Sequence, residues 1–176
     1  MGCGCSTKND EESGLNNKIT IFEASKLTDI NLKYELLSIL GHGGFGKVRL
    51  FRDSSCPDMK YAIKTMSKIA LKPEVLNYLK LEIKILRELD HPNIVKYIDC
   101  YEDDRYLHIV MEYIPGDDLF KVITHRKFNN FTEADAADMI ENLLKAVLFL
   151  HNKNIVHRDI KPENILFSIQ GKFPIN

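Results

Sequence analysis

The chain has 176 residues, with 24 basic and 25 acidic side chains, 44% hydrophobic and 28% charged residues. This length suits one domain, or one and a fraction, with material enough for a core, and the composition excludes wholesale disorder and fibrous structure. A net charge of −1 argues against a general nucleic-acid binder, which needs a basic surface, so no nucleic-acid partner is expected; nor is any uncharged apolar run long enough to cross a bilayer.

The opening Met1-Gly2-Cys3-Gly4-Cys5-Ser6 resembles an N-myristoylation signal, with Gly2 behind the initiator Met and Ser6 at the favoured position. One myristoyl chain binds membrane only marginally, and a second acyl group such as palmitate on Cys3 or Cys5 would convert contact into anchoring. The expected location is therefore cytoplasmic, lipid-anchored to the cytoplasmic face of a membrane, with N-terminal acylation making the membrane a partner. The bland alternative is a solvated tail with chance cysteines. Cys56 and Cys100 complete the four cysteines; without a CxxC pair or a secretory segment they argue for a reducing compartment and against a disulfide framework or zinc site. Residues 7–29 are polar and weakly patterned, a tether that becomes ordered near Tyr34.

Tyr34 to Leu40 reads as a strand, followed by a turn in which Gly41 to Gly46 holds four of the chain's nine glycines. Lys47 to Phe51 alternates as the second strand of that hairpin, and Met59 to Thr65, beyond the Ser54–Asp58 turn, as a third. Pro73 to Leu89 is the first clear helix, with Pro73 suited to its first turn. Leu79, Glu82 and Leu86 recur at helical spacing with Ile83 and Leu89 alongside, which puts Glu82 on or beside the apolar face, where a free carboxylate is costly. His91-Pro92-Asn93 breaks the helix. Ile94 to Ile98 and Tyr106 to Met111 are two further strands, separated by Glu102-Asp103-Asp104. Pro115-Gly116-Asp117 marks a linker, after which the pattern turns helical. Thr132, with Asp135 three residues on, forms a variant capping box for a helix to about His151, whose apolar face holds Ala136, Ile140, Leu143, Val147 and Leu150. The expected fold class is α+β, a five-stranded antiparallel sheet lobe with one helix and the start of a helical lobe. The expected organisation is an acylated segment over 1–33, the sheet lobe and hinge over 34–114, and a partial helical lobe over 115–176.

Gly41-His42-Gly43-Gly44-Phe45-Gly46-Lys47-Val48 fits GxGxxGxV, in which glycines let backbone amides approach phosphate oxygens. A strand rather than a helix follows, which argues against a dinucleotide fold; an ordinary glycine-rich hairpin is the plain alternative. Three further features decide between them: Tyr61-Ala62-Ile63-Lys64 on the third strand, Glu82 on the next helix, and His157-Arg158-Asp159-Ile160-Lys161-Pro162-Glu163-Asn164. In this order they resemble the protein kinase signature set over residues 34 to 170. Lys161 inside the HRDxKxxN loop resembles the serine/threonine kinases. Leu89-Asp90-His91-Pro92-Asn93-Ile94-Val95 and Met111-Glu112-Tyr113 resemble the calcium/calmodulin-regulated group. With the acylated start, the chain is most similar to calcium-dependent protein kinases of the plant and protist type.

The resemblance implies ATP and Mg²⁺ as cofactors and a protein substrate phosphorylated on Ser or Thr. Lys64 would hold the α- and β-phosphates and pair with Glu82, a pairing the residues also suggest by themselves, since a carboxylate on an apolar helix face needs a cation. Asp159 would accept or orient the substrate hydroxyl proton, and Lys161 would place charge near the transferring phosphoryl group. Asn164 would offer Mg²⁺ a neutral oxygen. Gly41, Gly43, Gly44, Phe45 and Gly46 would cover the phosphates. Leu40, Val48, Ala62 and Leu166 would sandwich the adenine, with Met111 as gatekeeper and the backbone of Glu112 and Ile114 on the purine edge. Asp118 would lie near the ribose, its side chain shorter than the Glu that relatives often carry, and Glu163 would complete the nucleotide site. Taken alone, the apolar members of this set read as core packing, and the six histidines as loop and packing residues rather than metal ligands.

The kinase set continues with Asp-Phe-Gly and Ala-Pro-Glu, neither of which occurs in the 176 residues, and the chain stops 12 residues past Asn164. No EF-hand loop occurs either, so calcium regulation is expected only if such loops lie beyond these residues. Two functions follow: the front part of an ATP-dependent serine/threonine kinase, with negligible phosphotransfer by this chain alone, or a catalytically inactive, membrane-tethered nucleotide-binding or decoy module.

Overall fold

The computed structural model describes residues 29–43, 46–69, 72–124 and 132–168. Gly2, Cys3, Cys5, Gly44 and Phe45, all singled out above, lie outside the described residues. Strands β1 (Tyr34–Gly43), β2 (Gly46–Asp53) and β3 (Lys60–Ser67) run as successive hairpins; helix α1 (Pro73–Glu88) follows, then β4 (Tyr97–Glu102) and β5 (Tyr106–Glu112). They form one five-stranded sheet in the order β1-β2-β3-β5-β4, with every neighbouring pair antiparallel. The α1 crossover carries β4 to the far edge, so β5 returns beside β3. Register shifts in β1 between Leu36 and Ser38 and between Ile39 and Gly41 leave Leu37 and Leu40 as bulge residues, and such bulges re-aim side chains where simple alternation fails.

Both faces of the sheet are covered. On one, Met66, Cys100, Leu107 and Ile109 pack with Leu79 and Ile83 of α1. On the other, Tyr34, Phe51, Ile63, Tyr101 and Val110 pack with Ile30, which belongs to a 3-10 turn at Ile30–Leu32 capped by the Asp29 carboxylate. The packed body therefore starts at Ile30, ahead of the first strand. Tyr34 makes edge-on ring contacts with Tyr61 at 5.5 Å and Tyr101 at 5.8 Å, each worth about 0.5–1.5 kcal/mol beyond its buried area.

Two expected elements shift. Ile94 and Val95 are not in a named strand; β4 starts at Tyr97 and runs through Glu102, which is buried rather than part of a turn. Ile94 instead closes a turn onto the His91 carbonyl and packs against Ala146 and Leu150 of the helical lobe, so its apolar side chain joins the lobes. The helical lobe holds α2 (Leu119–Thr124) and α3 (Glu133–Asn152). Thr132 and Asp135 form the full capping box at the start of α3. The buried residues of α3 are Met139, Ala146 and Leu150, with Leu143 packed against the same clusters. Ile140, expected on that face, is 45% exposed. The stripes 136–140–147 and 139–143–146 are adjacent on one helix, and the partners Leu89, Ile94, Leu119 and Ile165 select the second.

Beyond the hinge the chain folds back on itself. Leu119 donates its amide to the Ile165 carbonyl at 2.8 Å, Phe167 donates to Asp117 at 3.0 Å, and Asp118 pairs with Leu166 as an antiparallel bridge. Gly116, read from sequence as linker, is a packing residue. A Cβ there would stand 1.6 Å from the Phe167 carbonyl oxygen.

Candidate functional site

Sheet register builds one wall of the site. Val48 lies opposite Lys64, which lies opposite Ile109; in the next row Leu50 lies opposite Ala62, which lies opposite Met111. Directly paired residues share a face, so Val48, Ala62, Lys64 and Met111 all stand on the side that α1 covers. Lys64 Nζ is 4.0 Å from Glu82 Oε1, with the side chains 25% and 52% exposed. Glu82 is thus beside the apolar stripe rather than in it, because Leu79 and Ile83 take the buried positions. Burial does not force this pairing; the placement of α1 over β3 does, and a pair so exposed adds little stability.

The two glycines flanking the hairpin tip differ. A Cβ on Gly46 would meet the Thr65 carbonyl oxygen at 2.2 Å, whereas one on Gly41 would meet nothing within 4 Å. Gly46 is required by the close passage of β2 over β3, and Gly41 leaves open space beside Val48. Gly43 ends β1 opposite Gly46. Leu40, at the second bulge, is partly exposed.

The second wall starts at the end of α3. Asn154 has φ 60°; its amide donates to His151 and the Ile155 amide donates to Leu150, both at 2.9 Å. That is a Schellman ending with Asn as the left-handed residue, and the accompanying Ile155–Leu150 contact is present. It turns the chain into 155–159, where Arg158 takes φ 66°, a conformation costly for a side chain of that size. Asp159 follows. Its amide donates to His157 Nδ1 at 3.3 Å, and its Oδ2 accepts from Asn164 Nδ2 at 2.9 Å and from Lys161 Nζ at 2.9 Å. Asn164 Nδ2 also donates to the Asp159 carbonyl at 2.8 Å. The Lys161 hydrogen bond, then that from Asn164, lowers the Asp159 pKa below its usual value, and the same bond raises that of Lys161. Asp159 is therefore an ionised carboxylate held in one orientation.

Between the walls runs the hinge. Glu112 donates its amide to the Lys96 carbonyl at 3.0 Å and accepts the Lys96 amide through Oε1 at 2.6 Å. The Ile114 carbonyl accepts from Gly116 at 3.0 Å. Ile165 and Phe167 pack with Leu119 and Met139, so alternation turns Leu166 the other way, beside Asp118 at the hinge.

The protein kinase domain family matches residues 34–175. The chain belongs to the protein kinase family. It is 38% identical over 162 residues to a calcium/calmodulin-dependent protein kinase type 1 from Macrobrachium nipponense, covering 92% of this chain and 43% of that one. Its match to a protein of the same description from Caenorhabditis elegans is 41% over 143 residues, 81% of this chain and 40% of the relative. Calcium-dependent protein kinase 4 of Plasmodium falciparum (isolate 3D7) is 38% identical over 172 residues, 96% of this chain and 32% of the relative. The chain thus spans from 32% to 43% of the length of these relatives. The five-stranded antiparallel sheet followed by helices is the front of the kinase fold expected from the sequence.

Within this kinase frame the structure gathers Val48, Ala62, Lys64, Met111 and Glu82 around one sheet face, and Asp159, Lys161 and Asn164 around one carboxylate. Asp118 is more committed than its motif position suggests. Its Oδ1 caps α2 by accepting the Lys121 amide at 2.8 Å, and Oδ2 accepts Lys121 Nζ at 2.9 Å. Burial pushes its pKa up, but the bonds from Lys121 outweigh burial and leave it lowered. A ribose contact would have to share one of these oxygens. Glu163 lies exposed in a 3-10 turn, Pro162–Asn164. Residues that sequence reasoning missed include Asn154 and Arg158, whose left-handed backbone no pattern announces, and Lys121. An Asp three residues before Lys121 was the available cue for the cap. Cys100 is a core residue whose thiol burial pushes up to about 12, and Cys56 is exposed. Among the described residues no group of three or more His, Cys, Asp or Glu could hold a metal.

Proposed function

We propose that the chain forms the nucleotide-binding part of an ATP-dependent kinase that transfers the γ-phosphoryl group to Ser or Thr hydroxyls of a protein. The observation that carries this is the Asp159–Lys161–Asn164 cluster, an ionised carboxylate held by a cation and an amide. Phosphoryl transfer through a loose transition state asks for positioning and charge, not strong proton abstraction. A carboxylate with a lowered pKa suits the first demand: it accepts the hydrogen bond of a substrate hydroxyl and aims its oxygen. Lys161 supplies positive charge beside it. Lys64, kept near Glu82, supplies a cation on the sheet side for phosphate oxygens. Val48, Ala62, Met111, Leu40 and Leu166 would enclose the adenine. The Ile114 carbonyl is committed to Gly116, so its amide is the group it would offer the purine edge.

Mg²⁺ fits this chemistry. Asn164 donates from its amide nitrogen to Asp159 and so offers its carbonyl oxygen, a hard neutral ligand, and few protein ligands suit an ion that keeps water and phosphate around it. When bound, Mg²⁺ neutralises charge on the phosphates. The family match and the relatives' descriptions as protein kinases favour this reading over the inactive tethered module. Calcium control follows only from those relatives' descriptions; the ion would act through a partner or through residues beyond these.

Calorimetric titration with Mg-ATP tests the reading. Lys64→Met should weaken binding by about tenfold or more, the scale of a lost charge-assisted hydrogen bond. Asp159→Asn should change affinity little, because it orients the protein hydroxyl. Absence of saturable Mg-ATP binding to the wild-type chain would sink the proposal. Phosphotransfer by these 176 residues alone is expected to be negligible, since they contain no Asp-Phe-Gly; robust peptide phosphorylation abolished by Asp159→Asn would refute that. We further propose acylation of Gly2 with Cys3 or Cys5, supported by the pattern of the first six residues. Gly2→Ala should then release the protein from membranes in a fractionation assay.

A further inference from the structure

Lys68 and Glu102 form the most deeply buried ion pair among the described residues. Lys68 Nζ lies 2.8 Å from Glu102 Oε1, and the side chains are 12% and 1% exposed. Neither belongs to the kinase motifs quoted above. Glu102 is the last residue of β4 and pairs with Leu107, which pairs with Met66. Both Leu107 and Met66 belong to the cluster that receives Leu79 and Ile83 of α1. The ion pair therefore closes the end of the sheet surface on which α1 rests. Lys68 directly follows β3, and its amide donates to the Arg105 carbonyl at 2.8 Å in the β4–β5 turn. Side chain and backbone together tie the exit of β3 to the β4–β5 hairpin, five residues before α1 begins at Pro73.

The distance that matters for the site lies along the same path. Lys64 is on β3 and Glu82 on α1, and they stand at 4.0 Å with Glu82 half-exposed. Such a pair is too weak to place a helix. Among the described residues α1 supplies only Leu79 and Ile83 to the buried cluster, and Lys72 at its N-cap makes no side-chain cap. A buried ion pair, by contrast, is costly to break, because removing one member takes a close charge contact out of a dry place.

We infer that Lys68 and Glu102 are positioning residues that hold the root of α1 and thereby keep Glu82 within reach of Lys64. The inference rests on the nucleotide-site reading for its consequence but not for its geometry, and the experiment separates the two. Amide hydrogen exchange is measured on wild type, Lys68→Met, Glu102→Gln, Lys68→Arg and the paired Lys68→Met/Glu102→Leu. The single charge-removing variants should speed exchange across α1 by about tenfold or more while the amides of β2, β3 and β5 keep their protection, the sign of a local opening. Lys68→Arg should retain α1 protection. The paired variant, which keeps an apolar fill, guards against a single variant that does not fold. It should hold the sheet while α1 still exchanges fast. Unchanged α1 exchange, an equal loss everywhere, or full recovery of α1 in the paired variant would each overturn the inference. In parallel, Lys64→Met and Glu82→Gln should weaken Mg-ATP binding non-additively in wild type and additively in the paired background. Persistence of the non-additivity in that background would also count against it. If wild type binds no Mg-ATP, the nucleotide reading falls, and the exchange experiment still decides the positioning role.

Discussion

Gly41 and Gly46 occupy one motif for different reasons, and single substitutions should separate them. Gly46→Ala puts a methyl group against the Thr65 carbonyl, and overpacking of this kind costs about 1–3 kcal/mol. Gly41→Ala meets no protein atom, so urea unfolding should find its stability unchanged while calorimetry finds weaker Mg-ATP binding. A Gly41→Ala protein that unfolds early would contradict the open space beside Val48. His91 makes a second residue-scale prediction. Burial lowers its pKa, its ring lies 5.0 Å from Phe149, and Nδ1 accepts the Asn93 amide at 3.1 Å. A histidine depressed in the folded state is neutral there, and the unfolded chain takes up the proton first. Stability is then full above the ordinary histidine pKa of about 6.5 and falls as pH drops toward the folded value. Unfolding curves at several pH values should show that acid-side loss, and His91→Gln should flatten it.

At the scale of elements, α3 is bounded by a side-chain device at its start and a backbone device at its end, and only the first has a signature in the sequence. Thr132 and Asp135 bond reciprocally at the start, and Thr132→Ala should lower stability by about 1 kcal/mol in thermal or urea unfolding. The ending depends on Asn154 in a left-handed conformation. Asn154→Gly should be tolerated, and Asn154→Val should cost about 1–2 kcal/mol. Because this turn aims 155–159, the Val variant should also disturb the Asp159 cluster, seen as altered NMR shifts of Asn164. Helical spacing puts Glu82 on or beside the apolar stripe of α1, and the structure selects the second place: α1 lies so that Leu79 and Ile83 are covered and Glu82 is half-exposed next to them. Spacing defines a stripe; the rotation of the helix over the sheet depends on the partner surface.

Across the whole molecule, the two lobes meet through Ile94 packed on α3, while the bonds between Asp117–Leu119 and Ile165–Phe167 fix the chain just beyond the hinge to the 165–167 segment. A nucleotide between the sheet face and the Asp159 side would bind the folded state alone. Mg-ATP at about 100 times its Kd should therefore stabilise folding by about 2.7 kcal/mol, and thermal unfolding should show a concentration-dependent rise that Lys64→Met removes. Gly116→Ala belongs to this scale too. The clash with Phe167 would part the hinge from the 165–167 segment, and both stability and the nucleotide effect should fall together.

The sequence by itself determined the order of strands and helices, the kinase resemblance and the identity of the motif residues, because hydrophobic period, glycine spacing and fixed motif offsets are local properties of a chain. It also carried the α3 capping box, a four-residue device. Only tertiary structure decided that β5 sits between β3 and β4, that Ile94 leaves the sheet for the helical lobe, that Glu82 is exposed, that Gly116 is a packing residue and that Lys68 is buried against Glu102. Each of these depends on which surfaces meet. Lys68 and Glu102 are 34 residues apart, and no period or spacing in one dimension brings such residues together; a crossover helix packed on one face of a sheet does.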